Sequence, residues 1–300
     1  MTDNEYLKTV LSAQNLKDGS DELKSLEQHR KDVKALLESE FSSPLPNIRY
    51  GGSKAKGTLI SELYDLDMIC YFSHDDTQAG DSLEEIYNTV KNVLSETYHV
   101  VPKTSALRLQ SKNKENFGVD FHIDVIPGRY TDETKTDCYL HQEKGDKERL
   151  KTNLAVHINH VKNSGVLDAI RLLKLWRVRR AIDTKQFIFE LLCIELLKEK
   201  RDSPLEEQIK HVLEEVSGTE NAIAIEDPAN PAGNDLMPLL RSVWSELQNA
   251  SNYTLTQLDE AGWEAIYGPI SDSDKSSLAT GLAAAAASVS NTTKPWALNE

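Results

Sequence analysis

The chain has 300 residues, 39% of them hydrophobic and 27% charged, and a formal net charge of −14. This is the balance of a soluble globular protein with one large or two smaller domains, and it argues against a surface built to bind polyanions. No apolar run approaches the ~20 residues that span a bilayer. The start lacks a basic-then-apolar leader, and Cys70, Cys138 and Cys193 are scattered without CxxC spacing. The reading is therefore a protein of the reducing cytoplasm, with no disulfide framework, zinc site or membrane partner.

The first ~40 residues carry a helical pattern. Tyr6, Leu7, Val10, Leu11 and Leu16 recur at helical spacing, and "DELKSLEQHRKDVKALLESEF" continues it until "SSPLPN" breaks it. "NIRYGGS" reads as a short strand entering a glycine turn, and "DLDMICYF" as the next strand. "GDSLEEIYNTVKNVLSETY" is a capped amphipathic helix with Leu83, Ile86, Val90 and Leu94 on one side. "SALRLQ" and "FGVDFHIDVIP" are two further strands, completing a mixed α/β pattern with a small sheet. After about residue 145 the pattern is helical: "KERLKTNLAVHINHVKNSG", "GVLDAIRLLKLWRVRRA", "DTKQFIFELLCIELLKEK" and "PLEEQIKHVLEEV". A turn-rich crossing, "IEDPANPAGNDL", precedes the helix "MPLLRSVWSELQNA", and an alanine run near the end reads as a last helix. The division expected is 1–145 for the α/β part with its N-terminal helices and 146–300 for the helical part.

One feature of this pattern demands chemistry. On the "DLDMICYF" strand Leu66, Met68, Cys70 and Phe72 share one face, which leaves Asp65 and Asp67 together on the other. Two adjacent carboxylates repel. A positive group is expected between them, and a divalent metal is the simplest candidate. A third acid comes from "VDFHIDVIP", where Val119, Phe121, Ile123 and Val125 alternate with Asp120, His122 and Asp124. If the two strands are neighbours, three carboxylates converge, as suits two Mg2+ ions with positions open for phosphate. The "GGS" turn upstream offers backbone amides to a phosphate.

These residues resemble the nucleotidyltransferase superfamily of DNA polymerase beta: glycine–serine, then Asp-x-Asp twelve residues after Ser53, then an Asp on a later strand. "GSKAKGT" is similar to the "GSxxxGT" of one branch, the bacterial cyclic-oligonucleotide synthases of antiphage signalling (CD-NTases), with cyclic GMP-AMP synthase and oligoadenylate synthase as relatives. "IRLLKLWR", "DPANPAGND" and "WEAIYG" resemble later signatures of that branch. The resemblance implies a polymerase-beta-like α/β (α+β) fold, with a nucleotidyltransferase domain at 1–145 and a helical nucleotide-binding domain at 146–300. It implies metal binding and catalysis by Asp65, Asp67 and Asp124, the last favoured over Asp120 by its place before valine and proline. Gly52, Ser53 and Lys174 would hold the triphosphate. Lys54 and Gln186 stand where many relatives carry an aromatic residue and a serine, so their contacts stay open.

The activity implied is template-independent synthesis of a cyclic di- or trinucleotide from nucleoside triphosphates, with two Mg2+ ions, pyrophosphate release and an effector protein that senses the product. No nucleic-acid activator is expected. A linear oligonucleotide or RNA-tailing enzyme, a transferase acting on a protein or antibiotic, and an inactive nucleotide-binding scaffold are the alternatives. His122 reads as a hydrogen-bonded sheet histidine. His157 and His160 read as a helix face without an acidic partner, and "RVRR" at 177–180 as a charged helix end.

Overall fold

A computed structural model of the chain describes residues 1–15, 21–143, 148–218 and 223–270. Leu16, the alanine-run helix and the expected boundary at 145/146 lie outside the described residues. Among the described residues no helix is long and apolar enough to cross a membrane, and Cys70, Cys138 and Cys193 are buried free thiols.

Seven strands form one mixed sheet: β1 (Asn47–Tyr50), β2 (Leu66–Phe72), β3 (His99–Pro102), β4 (Leu107–Gln110), β5 (Asp120–Tyr130), β6 (Cys138–His141) and β7 (Arg149–Thr152). The order is β1-β2-β5-β4-β3, with β6 on the far end of β5 and β7 beyond it. β2 and β5 are parallel. Such a pair needs a long crossover, supplied by α4 (Leu83–Thr97) and the β3–β4 hairpin. α4 starts where Ser82 and Glu85 satisfy each other's backbone amides. Its apolar side and that of α2 (Asp21–Glu40) cover Leu66, Met68, Cys70 and Phe72 on one sheet face. The period-two alternation of β2 thus buries the side expected. Its other side continues past the acids into Ile69 and Tyr71, which pack with Tyr130, Cys138 and Leu140.

The helical half comprises α5 (Leu154–Lys162), α6 (Leu167–Arg179), α7 (Gln186–Leu196), α8 (Leu205–Ser217), α9 (Met237–Ala261) and α10 (Trp263–Tyr267). Two findings differ from the expected division. β7 follows residue 146 yet closes the sheet against β6. And α1 (Asp3–Ala13) leaves the α/β half: Tyr6, Leu7, Val10 and Leu11 join the core of α6–α10, and the Tyr6 hydroxyl donates to the Gly268 carbonyl at 2.6 Å. An amphipathic stripe says that a helix must be buried, not against what.

Candidate active site

A cleft of ≈ 590 Å³ lies between the sheet and the helical half, and its walls hold Gly52, Ser53, Asp65, Asp67, Asp124 and Lys174 together. Every site residue proposed from the sequence therefore lies in one cavity.

The sheet register makes the acidic wall. Asp67 and Asp124 are direct partners on β2 and β5, and Arg108 on β4 is the partner of Asp124. A row Asp67–Asp124–Arg108 runs across three strands, and paired residues share a face. Asp65 stands just before β2. Arg108 is 9% exposed and spends its fork on carboxylates. Nε and Nη2 donate to Asp124 at 2.5 and 2.8 Å, Nη2 also to Asp65 at 2.8 Å, and Nη1 to Asp120 at 2.7 Å. Lys103 adds a 2.9 Å bond to Asp124. Burial alone would raise the Asp124 pKa, but Arg108 and Lys103 hold it below its ordinary value. Asp67 has no such hydrogen bonds: burial and the neighbouring Asp124 raise it to about 6, against the pull of Lys56 and Lys103.

Two irregularities let this wall close. Gly52 has φ +50°, and a Cβ there would come within 1.5 Å of the Asp67 carboxylate. The second glycine of "GGS" is thus demanded by both backbone and neighbour. From Gly52 the short helix α3 (Gly52–Lys56) sets the Ser53 hydroxyl 3.4 Å from the Asp65 carbonyl. On β5, Leu109 pairs with Ile123 but Gln110 with Asp120, so Phe121 and His122 bulge from the ladder, and His122 has φ +56°. Simple alternation had placed Asp120, His122 and Asp124 in one row. The bulge instead re-aims them, and Asp120 and Asp124 grip Arg108 from two sides. His122 Nδ1 is 3.2 Å from Asp65, with its ring against Tyr64, in keeping with a hydrogen-bonded sheet histidine.

The opposite wall is cationic. Glu190 of α7 is fully buried and accepts from Lys56 Nζ at 2.8 Å, Thr58 Oγ1 at 2.6 Å and Gln186 Nε2 at 3.2 Å. Lys174 donates to the Thr58 carbonyl at 3.2 Å. Burial lowers its pKa to about 8 against the pull of Glu190. α6 is buried on most sides, Lys174 included, while Arg171 reaches out to Asn15. Arg177 donates to the Thr184 carbonyl and the Gln186 side-chain oxygen. With Glu190 at its other end, the Gln186 amide is fixed in one orientation.

The sequence reading missed Arg108, Lys103, Lys56, Arg177 and Glu190. Signals existed for two of them. Arg108 interrupts the apolar "LRL" of a core strand, and Glu190 the apolar "FIFELLC"; a buried charge implies a partner. A correction also falls on His157: its Nε2 lies 2.7 Å from Asp227, so an acidic partner exists. Burial would raise Asp227, but bonds from His157, Asn234 and the Ala229 amide bring it to about 2. The pair ties α5 to the "DPANPAGND" crossing. Arg179 and Arg180 of "RVRR" are likewise engaged, on Glu62 and Gln257.

The donor set suits magnesium in kind: three carboxylates, one of them, Asp67, without a side-chain hydrogen-bond partner among the described residues. Asp65 and Asp124 are turned onto Arg108. Among the described residues, accordingly, no three His, Cys, Asp or Glu side chains stand arranged around a common ion.

No protein-family model matches the chain, and no curated protein does. Solved structures do. E. coli MS115-1 CdnC with ATP superposes with a TM-score of 0.63 at 19% identity, covering 89% of this chain and 98% of that one. Bradyrhizobium diazoefficiens CdnG, a CD-NTase in complex with GTP, gives 0.63 at 12%, covering 88% and 94%. The Cid1 poly (U) polymerase bound to MgATP gives 0.60 at 13%, covering 88% and 96%. The fold is that of the polymerase-beta-like nucleotidyltransferases, as the motifs implied. Its likeness to CD-NTase structures runs over most of the chain.

Proposed function

We propose that this protein is a template-independent nucleotidyltransferase that joins nucleoside triphosphates into a cyclic di- or trinucleotide, a second messenger of antiphage signalling read by an effector protein. The observation that carries the reading is the charge of the cleft. The chain bears −14 overall, yet Lys56, Lys103, Arg108, Lys174, Arg177 and Lys185 line this cavity against Asp65, Asp67, Asp124 and Asp183. Six cations facing four carboxylates in an acidic protein suit a polyphosphate.

Asp65, Asp67 and Asp124 would hold two Mg2+ ions, which supply activation of the attacking hydroxyl and charge neutralisation on the leaving pyrophosphate. Lys174 and the fixed Gln186 amide face the cleft on its cationic wall, where they bind and orient the triphosphate beside Gly52 and Ser53. Asp124 would orient a ribose hydroxyl for in-line attack on the α-phosphate or take its proton. The Glu190 network keeps the wall rigid, so that little ordering cost remains when substrate binds.

The test is incubation with single and paired labelled nucleoside triphosphates, followed by pyrophosphate assay and mass spectrometry. A phosphatase-resistant cyclic product is expected. A phosphatase-sensitive chain would favour the linear reading, which the likeness to a poly (U) polymerase supports. No pyrophosphate with any nucleotide would leave a binding scaffold.

A further inference from the structure

The two aspartates of "DLD" called for a positive group between them; the chain supplies one to Asp65 but not to Asp67. Arg108 donates to Asp65, Asp120 and Asp124 with all three guanidinium nitrogens, and takes both oxygens of Asp124. The grip is built in from three directions: β4 places Arg108 across from Asp124, the β5 bulge brings in Asp120, and Asp65 closes from just before β2. A guanidinium is planar, always charged, and matched to paired carboxylate oxygens. It is a counter-ion that pH cannot remove.

We propose that Arg108 is the positioning residue of this acid cluster, a resident counter-ion that holds the carboxylates together in the metal-free protein and that divalent ions must displace from Asp65 and Asp124. The inference rests on the metal-binding reading above. Two facts carry it. The oxygens proposed as metal ligands are the ones that Arg108 occupies, with Lys103 sharing Asp124. Asp67, the third proposed ligand, is the one carboxylate of the row that Arg108 does not touch. A cation entering beside Asp67 therefore meets one free carboxylate and two engaged ones. Its binding must include the cost of moving a like charge aside. Arg108 then sets both the order of the acid cluster and its affinity for metal.

The experiment measures metal binding rather than turnover. Wild type, Arg108→Gln and Arg108→Lys are titrated with Mn2+ by calorimetry, and each is melted in EDTA and in Mn2+. Arg108→Gln is expected to bind Mn2+ at least ~10-fold tighter, because a full positive charge no longer opposes the ion. In EDTA it is expected to melt below wild type, because three carboxylates are left facing one another, and to recover more than wild type on adding Mn2+. Arg108→Lys keeps the charge but not the fork, and falls between. Should Arg108→Gln not fold, wild type still decides: the Arg108 Nε–H, bonded to Asp124, gives a slowly exchanging NMR signal in EDTA that saturating Mg2+ makes fast. Equal Mn2+ affinity in wild type and Arg108→Gln, or an Nε–H that stays protected in Mg2+, overturns this role for Arg108 and leaves the metal site standing. No Mn2+ binding by either protein overturns both.

Discussion

The cleft contains two charge clusters that are near mirror images. On the sheet side one cation, Arg108, sits among Asp65, Asp120 and Asp124, with Lys103 at the rim. On the helical side one carboxylate, Glu190, sits beside Lys56 and close to Lys174, with Thr58 and Gln186 completing its bonds. They differ in access. Lys103 is 44% exposed and Asp65 33%, whereas Glu190 is 0% exposed and Lys56 9%. Water and ions reach the first cluster and can exchange places within it. In the second, Glu190 is closed off from water and held by Lys56, Thr58 and Gln186. One cluster is made to be rearranged by what binds, the other to stay as it is.

The sharpest way to break this contrast is to remove charge from the exchangeable side. Asp65→Asn, Asp67→Asn or Asp124→Asn should each lower pyrophosphate release at least ~10²-fold, since each removes a ligand's charge from the transition state. Circular dichroism and melting should show the fold intact. A double Asp65→Asn/Asp67→Asn variant with wild-type turnover would end the assignment.

Removing charge from the sealed side should read out as stability. Glu190→Ala strands Lys56 without its partner in a buried position and should cost ~3 kcal/mol or more in urea unfolding. A paired change to apolar residues, Lys56→Met with Glu190→Leu, should cost clearly less, because no lone charge remains. If the single and paired variants unfold alike, the pair is not an isolated buried bridge.

Lys174 stands on the boundary between the two behaviours, being buried yet part of the cleft lining. Lys174→Ala should raise KM about 10-fold or more, with a smaller change in kcat, as befits loss of a charged hydrogen bond made in ground and transition states alike. Its pKa of about 8 adds a pH dependence. The ammonium is present below that value, so nucleotide affinity should fall as pH rises through 8. The same depressed pKa works against folding below 8, where the folded state must hold a buried charge. That penalty fades as pH climbs toward the lysine's ordinary value. Titration of a triphosphate analogue at pH 7 and pH 9, with Lys174→Arg as the control that keeps its charge, checks the sign.

The smallest effect expected is that of nucleic acid. Arg177, Arg179 and Arg180 of the one dense basic run are engaged by Thr184, Glu62 and Gln257, and the other cations of the cleft line a pocket rather than an exposed face. Duplex DNA or RNA at low salt should therefore change product formation by less than ~2-fold. Strong, salt-sensitive stimulation would reveal a basic surface outside this cleft.

Much of this was legible in the residues. "DLDMICYF" alternates so cleanly that burying Leu66, Met68, Cys70 and Phe72 leaves Asp65 and Asp67 no place but the opposite face. Gly52 must be glycine because Asp67 lies against it, and Ser53 follows on the same turn. The alternation is a local consequence of a period of two, whereas the contact that forbids a Cβ on Gly52 was set by the fold. Arg108 and Glu190 were not legible as partners, though each stands out within an apolar run. Their counter-charges are 16 residues away on another strand and 134 residues away across the cleft. Likewise α1 showed its apolar stripe but not its destination.

What the sequence determined by itself, then, is which residues must be hidden and which carboxylates must crowd together, because strand and helix periods act within a few residues. Only the tertiary structure decided how that crowding is relieved. Charge compensation depends on register between strands and packing between halves, and Coulomb's law takes account of distance in space, not of separation along the chain.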